Sequence, residues 1–177
     1  VSLEDGIASI APNLFYNCNS LEKIEMPDTI TEIGDNSFAY CEKLNDVKIS
    51  SNVTQIGNRA FISCVGLKEI EIPDSVEKIG YAAFSDCTGL IHVDLSENLK
   101  ELGGNTFRRC VGLTEIKIPK SLIKASVSCD EIGKAGEFYG CNNLKNISFE
   151  EKVDTVIANL FYYCSGIEKI VLPDTVT

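Results

Sequence analysis

The sequence has little of what most catalytic and metal-binding sites require. Its 177 residues include a single histidine, His92, and they contain no CxxC pair, no zinc-type ligand spacing and no glycine-rich phosphate loop. We therefore predict that the chain is not an enzyme and that it carries no catalytic residue, no cofactor and no metal site. An enzyme remains a distant alternative.

Basic residues and long apolar runs are also scarce. Lysine and arginine total 16 against 26 acidic residues, which gives a formal net charge of -10 and a pI near 4.6. A surface of this charge disfavours binding to nucleic acids and to anionic membranes. No apolar run approaches the ~20 residues of a membrane span, and the opening VSLEDG does not resemble a signal peptide. We expect no direct membrane insertion by this part of the protein.

What the sequence does contain is a repeat. Each unit has a phenylalanine followed three residues later by a cysteine, with a period of 23 residues that breaks once. Fixed periods of this length indicate a solenoid of stacked supersecondary units. The interpretation is one continuous solenoid over residues 1–177, with seven units and a leading strand. The predicted structural ladder is Phe15, Phe38, Phe61, Phe84, Phe107, Phe138 and Phe161 with Cys18, Cys41, Cys64, Cys87, Cys110, Cys141 and Cys164.

Alternating apolar pairs such as Ile70 and Ile72 predict one short strand per unit with one buried face. We expect eight parallel strands, centred near residues 2, 25, 48, 71, 94, 117, 148 and 171, in one sheet. A second apolar pair in each unit, such as Val53 and Ile56, indicates a short extended piece on another side. The recurrent glycine after it, as at Gly57, indicates close packing, and the spacing of three in Phe61, Cys64 and Leu67 predicts a single 3₁₀ or α turn.

The period breaks between Leu122 and Phe138, where an insertion at about 123–136 makes the spacing eight residues longer than in a regular unit. The apolar pattern resumes afterwards, so we expect the insertion to lie on the surface. The chain starts and stops in the middle of a unit, and we expect it to be a piece of a longer array. Its open ends would allow end-to-end self-association.

The pattern Ile-Gly-x-x-Ala-Phe-x-x-Cys-x-x-Leu-x-x-Ile-x-Ile-Pro-x-Ser-Val at residues 56–76 resembles the BspA-like class of leucine-rich repeats. The resemblance spans nearly the whole chain. It implies a β-rich α/β repeat solenoid, a right-handed leucine-rich-repeat superhelix with a parallel sheet and short 3₁₀ or α turns. It also implies a bacterial or protist protein at the cell surface or secreted, with adhesion to host or matrix proteins. No catalytic or ligand residue is defined for the class.

The cysteines in phase with the core are predicted to be buried free thiols, because coils spread apart on the convex side and free cysteine is commonly buried. Cys129, inside the insertion, is either a reactive or paired thiol or a loop cysteine without a role. His92 and its neighbours Glu69, Glu71, Asp94 and Glu115 suggest either a cation site or a solvated mixed-charge face.

The leading hypothesis is a non-catalytic module that binds a protein, and the alternative is a passive spacer that projects another domain. A binding surface is predicted where the insertion meets the least charged outward strand residues, since weakly charged surface is easier to desolvate. The candidate partner-binding residues are Lys117, Ser148, Val171, Cys129, Asp130 and Glu131.

Overall fold

The computed structural model of the chain describes residues 3–125, 136–153 and 156–176. These residues form stacked coils of short strands, and no helix occurs among them. In chain order the strands are β1 Ser9–Ile10, β2 Lys23–Glu25, β3 Glu32–Ile33, β4 Asp46–Lys48, β5 Gln55–Ile56, β6 Glu69–Glu71, β7 Lys78–Ile79, β8 His92–Asp94, β9 Glu101–Leu102, β10 Glu115–Ile118, β11 Lys124–Ala125, β12 Asn146–Phe149 and β13 Lys169–Val171.

Two ladders of strands run along the stack. The first ladder consists of β2, β4, β6, β8, β10, β12 and β13, and the second ladder consists of β1, β3, β5, β7, β9 and β11. Every hydrogen-bonded pair is parallel, and equivalent residues of successive coils face each other, as Ile56 faces Ile79. Ile116 faces Ile147 in the same way across the longer spacing. The predicted parallel solenoid is therefore confirmed.

The prediction of one sheet through the first ladder is wrong. Its seven described strands lie at the expected positions, but they form three separate sheets, β2–β4, β6–β8 and β10–β12–β13. The eighth expected strand, near residue 2, lies outside the described residues. The continuous six-stranded sheet is formed instead by the second ladder, the piece that sequence reasoning treated as secondary.

A proline follows the strand on the far side of each interruption in the first ladder. Both breaks precede a coil in which Pro73 or Pro119 comes soon after the strand, and proline has no N–H to donate to the preceding coil. Glu150 occupies the same place in a later coil, and its N–H donates to the carbonyl of Ile118 at 2.9 Å. The missing donor weakens pairing without forbidding it, because β13 precedes Pro173 and still pairs with β12.

The turn side of each coil differs from the predicted 3₁₀ or α turn. In the third coil, Arg59 and Ser63 have φ of 54° and 58°, so the chain makes consecutive turns rather than a helix. The N–H groups of Arg59, Phe61 and Ser63 donate to carbonyls of the next coil at 2.7–2.8 Å. Left-handed conformations cost energy for residues other than glycine, and these bonds between coils offset that cost.

The core is a column of aromatic rings in which each coil contributes one phenylalanine. From Phe15 to Phe138 consecutive ring centroids lie 5.0–5.4 Å apart with interplanar angles of 4–13°. The column continues without a gap between Phe107 and Phe138, on either side of the insertion. The inserted residues therefore leave the stacking of the coils unchanged.

The recurrent glycines are packed against backbone, as the sequence predicted. A Cβ atom at Gly80 would lie 2.7 Å from backbone atoms of Gly57 and Asn58, and one at Gly103 would lie 2.4 Å from the carbonyl carbon of Gly80. Such distances are shorter than any real Cβ contact tolerates. Glycine at this place lets neighbouring coils approach closely beside the second ladder.

Candidate functional site

The outward side chains of the first ladder form one surface, polar along most of its length and named here the first-ladder face. Strand alternation creates it, because the central residue of a strand is buried and its two neighbours point outward. In β6, for example, Ile70 is buried while Glu69 and Glu71 are exposed. The outward residues vary from coil to coil, whereas the inward residues are uniformly apolar.

Three of the candidate binding residues are brought together on this face. Lys117 pairs in register with Ser148, and Ser148 pairs with Val171, so the three side chains stand side by side on β10, β12 and β13. They line an open groove of about 470 Å³ whose walls also include His92, Asp94, Glu115 and Lys169. The other candidates, Cys129, Asp130 and Glu131, lie outside the described residues.

Lys117 is held by Glu150, the residue that replaces proline at the end of β12. The Nζ atom of Lys117 lies 3.2 Å from Oε1 of Glu150, and the backbone N–H of Lys120 donates to Oε2 at 3.1 Å. Burial acts to raise the pKa of Glu150, but these bonds and the two lysine charges together hold it below its usual value. Glu150 thus stays ionised and fixes the orientation of Lys117 at the groove.

The far end of the groove carries less charge than its middle. Asn146 and Ser148 line it from β12, and Lys169 and Val171 line it from β13. Val171 is 46% exposed and pairs in register with Ser148. An uncharged side chain that is partly exposed costs less to desolvate than a charged one.

The middle of the first-ladder face is acidic. Glu69 faces His92 across β6 and β8, and Glu71 faces Asp94 in the same register. Within the three described ranges, no group of three or more histidine, cysteine, aspartate or glutamate side chains is arranged to hold a metal ion. The carboxylates are spread along the face rather than converging on one point.

The ladder cysteines are free thiols with a role that the sequence pattern did not indicate. In six coils the Sγ atom donates to the carbonyl oxygen of the phenylalanine in the preceding coil, at 2.9–3.2 Å, from Cys41 to Phe15 through Cys164 to Phe138. Burial raises the pKa of Cys87 to about 12 and that of Cys164 to about 11. These thiols are held protonated as hydrogen-bond donors rather than as nucleophiles.

Cys18 is exposed, contrary to the prediction that all seven ladder cysteines are buried. It belongs to the first coil with a turn side, and no described coil lies outside it to supply a phenylalanine carbonyl. Phe15 in the same coil is likewise only partly buried. The burial of the other six depends on the coil before them.

Comparison with known proteins identifies the repeat. The family model described as the BspA type leucine rich repeat region, present in six copies, matches residues 8–129 and 123–177. The chain belongs to this family. No curated protein sequence matches the chain.

Solved structures agree with the BspA-type assignment. A leucine rich repeat protein from T. pallidum is 28% identical, with a TM-score of 0.76, and the match covers 99% of this chain and 78% of that one. A leucine rich cell surface protein from Faecalibacterium prausnitzii is 22% identical, with a TM-score of 0.59 and coverage of 96% and 58%. The pneumococcal vaccine antigen PcpA is 18% identical, with a TM-score of 0.53 and coverage of 99% and 57%. The last two similarities concern the fold alone.

The turn side of this BspA-type array carries an aromatic cluster that sequence reasoning missed. The rings of Tyr139, Tyr162 and Tyr163 lie 5.5–6.2 Å from one another, and Arg108 lies over the ring of Tyr139 at 5.6 Å. The 23-residue separation of Tyr139 and Tyr162 was the available signal.

In the described ranges, nothing helical has the length and hydropathy that a membrane span requires.

Proposed function

We propose that this BspA-type array is a non-catalytic adhesion module of a cell-surface or secreted protein. Its partner is a protein of the host, the matrix or another surface. The contact involves the first-ladder face from Lys117 to Val171 together with the 123–136 insertion. Among the similar structures, one is described as a cell surface protein and another as a vaccine antigen, which favours this location.

The register of Lys117, Ser148 and Val171 is the observation that carries the proposal. Outward residues of the early coils are charged and already satisfied, since Lys48 pairs with Glu25 at 2.8 Å. At the other end the outward residues Ser148 and Val171 carry no charge, and Val171 is 46% exposed. Desolvating this end costs less than desolvating charged groups, so a partner gains more from covering it.

The alternative is a passive spacer, and the satisfied ion pairs of the early coils support it. Lys23 with Asp46 and Lys48 with Glu25 join neighbouring coils and leave a surface that is well hydrated. A spacer requires only this kind of surface along its whole length. The two functions therefore differ in whether the outward surface of the last coils binds a partner.

The test removes eight residues from within the insertion, so that the spacing between Leu122 and Phe138 becomes that of the regular unit. Binding of wild type, the deletion variant and S148K/V171K to immobilised matrix proteins is measured by surface plasmon resonance, after circular dichroism has shown that each is folded. The control K48S/E25S removes an ion pair from the early coils. We expect the deletion and S148K/V171K to weaken binding about tenfold or more, and the control to leave it unchanged. Unchanged binding by the two test variants refutes this contact, and no binding by wild type favours the spacer.

A further inference from the structure

Charges on the first-ladder face are paired in some coils and unpaired in others. Between β2 and β4, Lys23 lies 2.7 Å from Asp46, and Lys48 lies 2.8 Å from Glu25. On β6, β8 and β10 no ion pair within the described part of the chain neutralises the outward carboxylates. These four residues, named here the acidic rungs, are Glu69, Glu71, Asp94 and Glu115.

The arrangement of the acidic rungs is unfavourable for folding. Glu71 and Asp94 face each other in register on paired parallel strands, and like charges in that position repel. Elsewhere the same array places lysine against a carboxylate at equivalent positions, as with Lys48 and Glu25. The fold therefore accommodates neutralising pairs at this site, and their absence in the middle coils is not imposed by the backbone.

Shape distinguishes the acidic rungs from a scattered set of surface charges. They line two open grooves of about 470 Å³ each, and both grooves are bounded by His92 and Asp94. The two grooves therefore adjoin at β8, and together they extend from Asp46 on β4 to Val171 on β13; this pair of grooves is named here the trough. The trough joins the acidic rungs directly to Lys117, Ser148 and Val171, the surface on which the proposed function rests.

We infer that the trough binds an extended basic segment of the protein partner, with lysine or arginine side chains of that segment lying against the acidic rungs. This inference deepens the proposed adhesion function and depends on it for its biological setting. Carboxylates spread over three strands match positive charges that are spread along a chain. A single metal ion does not fit, because the described side chains include no cluster that converges on one position.

Electrostatics assigns different roles to the two ends of the trough. Exposed carboxylates attract a basic partner from a distance and mainly raise its association rate, in a way that salt screens. The end at Ser148 and Val171 contributes after contact, when the 46% exposed side chain of Val171 is covered. The partner segment is therefore basic where it meets β6, β8 and β10 and apolar where it meets β13.

The test uses substitutions that replace a carboxylate by the corresponding uncharged amide, together with defined peptide probes. The face variant E69Q/E71Q/D94N/E115Q is compared with E4Q/E22Q/E42Q/E97Q, which alters four exposed carboxylates that do not line the trough. Both variants lose the same number of negative charges. The probes are two fluorescent synthetic peptides, one alternating lysine with serine and one alternating glutamate with serine, and binding is followed by fluorescence anisotropy at low salt and at ~0.15 M salt.

We expect wild type to bind the lysine peptide and not the glutamate peptide, the face variant to bind it about tenfold more weakly, and the matched variant to change by less than about twofold. Equal weakening in both four-site variants would show a response to net charge alone and overturn the inference, as would no binding by wild type. The result is independent of the matrix-protein measurement. If only the face variant binds the lysine peptide more weakly, the basic-segment site is supported even where no matrix protein binds. The absence of matrix-protein binding then counts against the adhesion role alone.

Discussion

The column of stacked phenylalanines predicts a position-dependent cost of substitution. The ring of Phe61 lies between those of Phe38 at 5.0 Å and Phe84 at 5.2 Å, with planes within 6° of parallel. Leucine at position 61 keeps most of the buried apolar volume and loses both ring contacts. At ~0.5–1.5 kcal/mol for each aromatic pair, F61L should lower the free energy of unfolding by ~1–3 kcal/mol.

Phe161 is the matched comparison, because within the described residues its ring stacks on that of Phe138 alone. Its ring lies 5.3 Å from that of Phe138 at 25°, and the side chain is partly exposed. F161L should therefore cost about half as much as F61L or less, ~0.5–1.5 kcal/mol. Both variants are measured by urea unfolding followed by far-ultraviolet circular dichroism, since the chain has no tryptophan.

Double variants decide whether ring stacking causes the difference. F61L/F84L removes two adjacent rings and should show a coupling free energy of ~0.5–1.5 kcal/mol, whereas F38L/F84L, in which the two rings do not touch, should be additive within ~0.5 kcal/mol. Equal coupling in the two double variants, or an F161L cost as large as that of F61L, would refute the stacking argument. General loss of packing would then account for both.

Two further predictions concern single side chains. In a C129S background, a thiol reagent should modify Cys18 rapidly in the folded protein, whereas the six buried ladder thiols should react only after unfolding. Rapid modification of folded C18S/C129S would contradict the burial of those six thiols. Burial raises the pKa of Glu137 to about 7 from an ordinary value of 4.5. Between these two pH values the folded state retains a proton that the unfolded state has released. The free energy of unfolding should therefore fall as pH rises from about 4.5 to about 7. E137Q should abolish that fall, so the urea midpoint of E137Q should match that of wild type below pH ~4.5 and exceed it above pH ~7. A constant difference between the two midpoints at every pH would exclude Glu137 as the cause.

The sequence predicted the stack of coils because its periodicity is simple. Phenylalanine every 23 residues defined each coil, and alternation around residues such as Ile70 placed the first-ladder strands correctly. Which ladder would form the continuous sheet was not predictable in the same way. Pro73 and Pro119 each remove a donor from the first ladder, and the size of that effect depends on coil geometry that no residue pattern encodes.

The turn side was misread for a different reason. Spacings of three in Phe61, Cys64 and Leu67 fit a helical turn, and the same spacing also fits consecutive turns closed by i to i−3 hydrogen bonds. Asparagine was the missed signal. Asn13, Asn36 and Asn105 all have positive φ at one repeat position, and asparagine adopts that conformation more readily than most residues.

The candidate site was predictable in part. Strand alternation alone placed Lys117, Ser148 and Val171 on one face, and the structure adds their register and the groove that they share. The ion pair of Lys117 with Glu150 joins residues 33 positions apart, on either side of the insertion, and no local pattern indicates it. The tyrosine cluster on the turn side depends in the same way on packing between coils.

The proposed binding surface lies where the scaffold imposes least. Inward residues are constrained by the phenylalanine column, and turn residues such as Arg59 and Ser63 are fixed by bonds between coils. Outward residues of the first ladder meet neither constraint, so their identities change freely from coil to coil while the backbone keeps them in register. A surface built in this way can vary its charge along one axis without altering the fold. The change along the trough from carboxylates at Glu71 to the apolar Val171 is such a variation, and we propose that a partner recognises it.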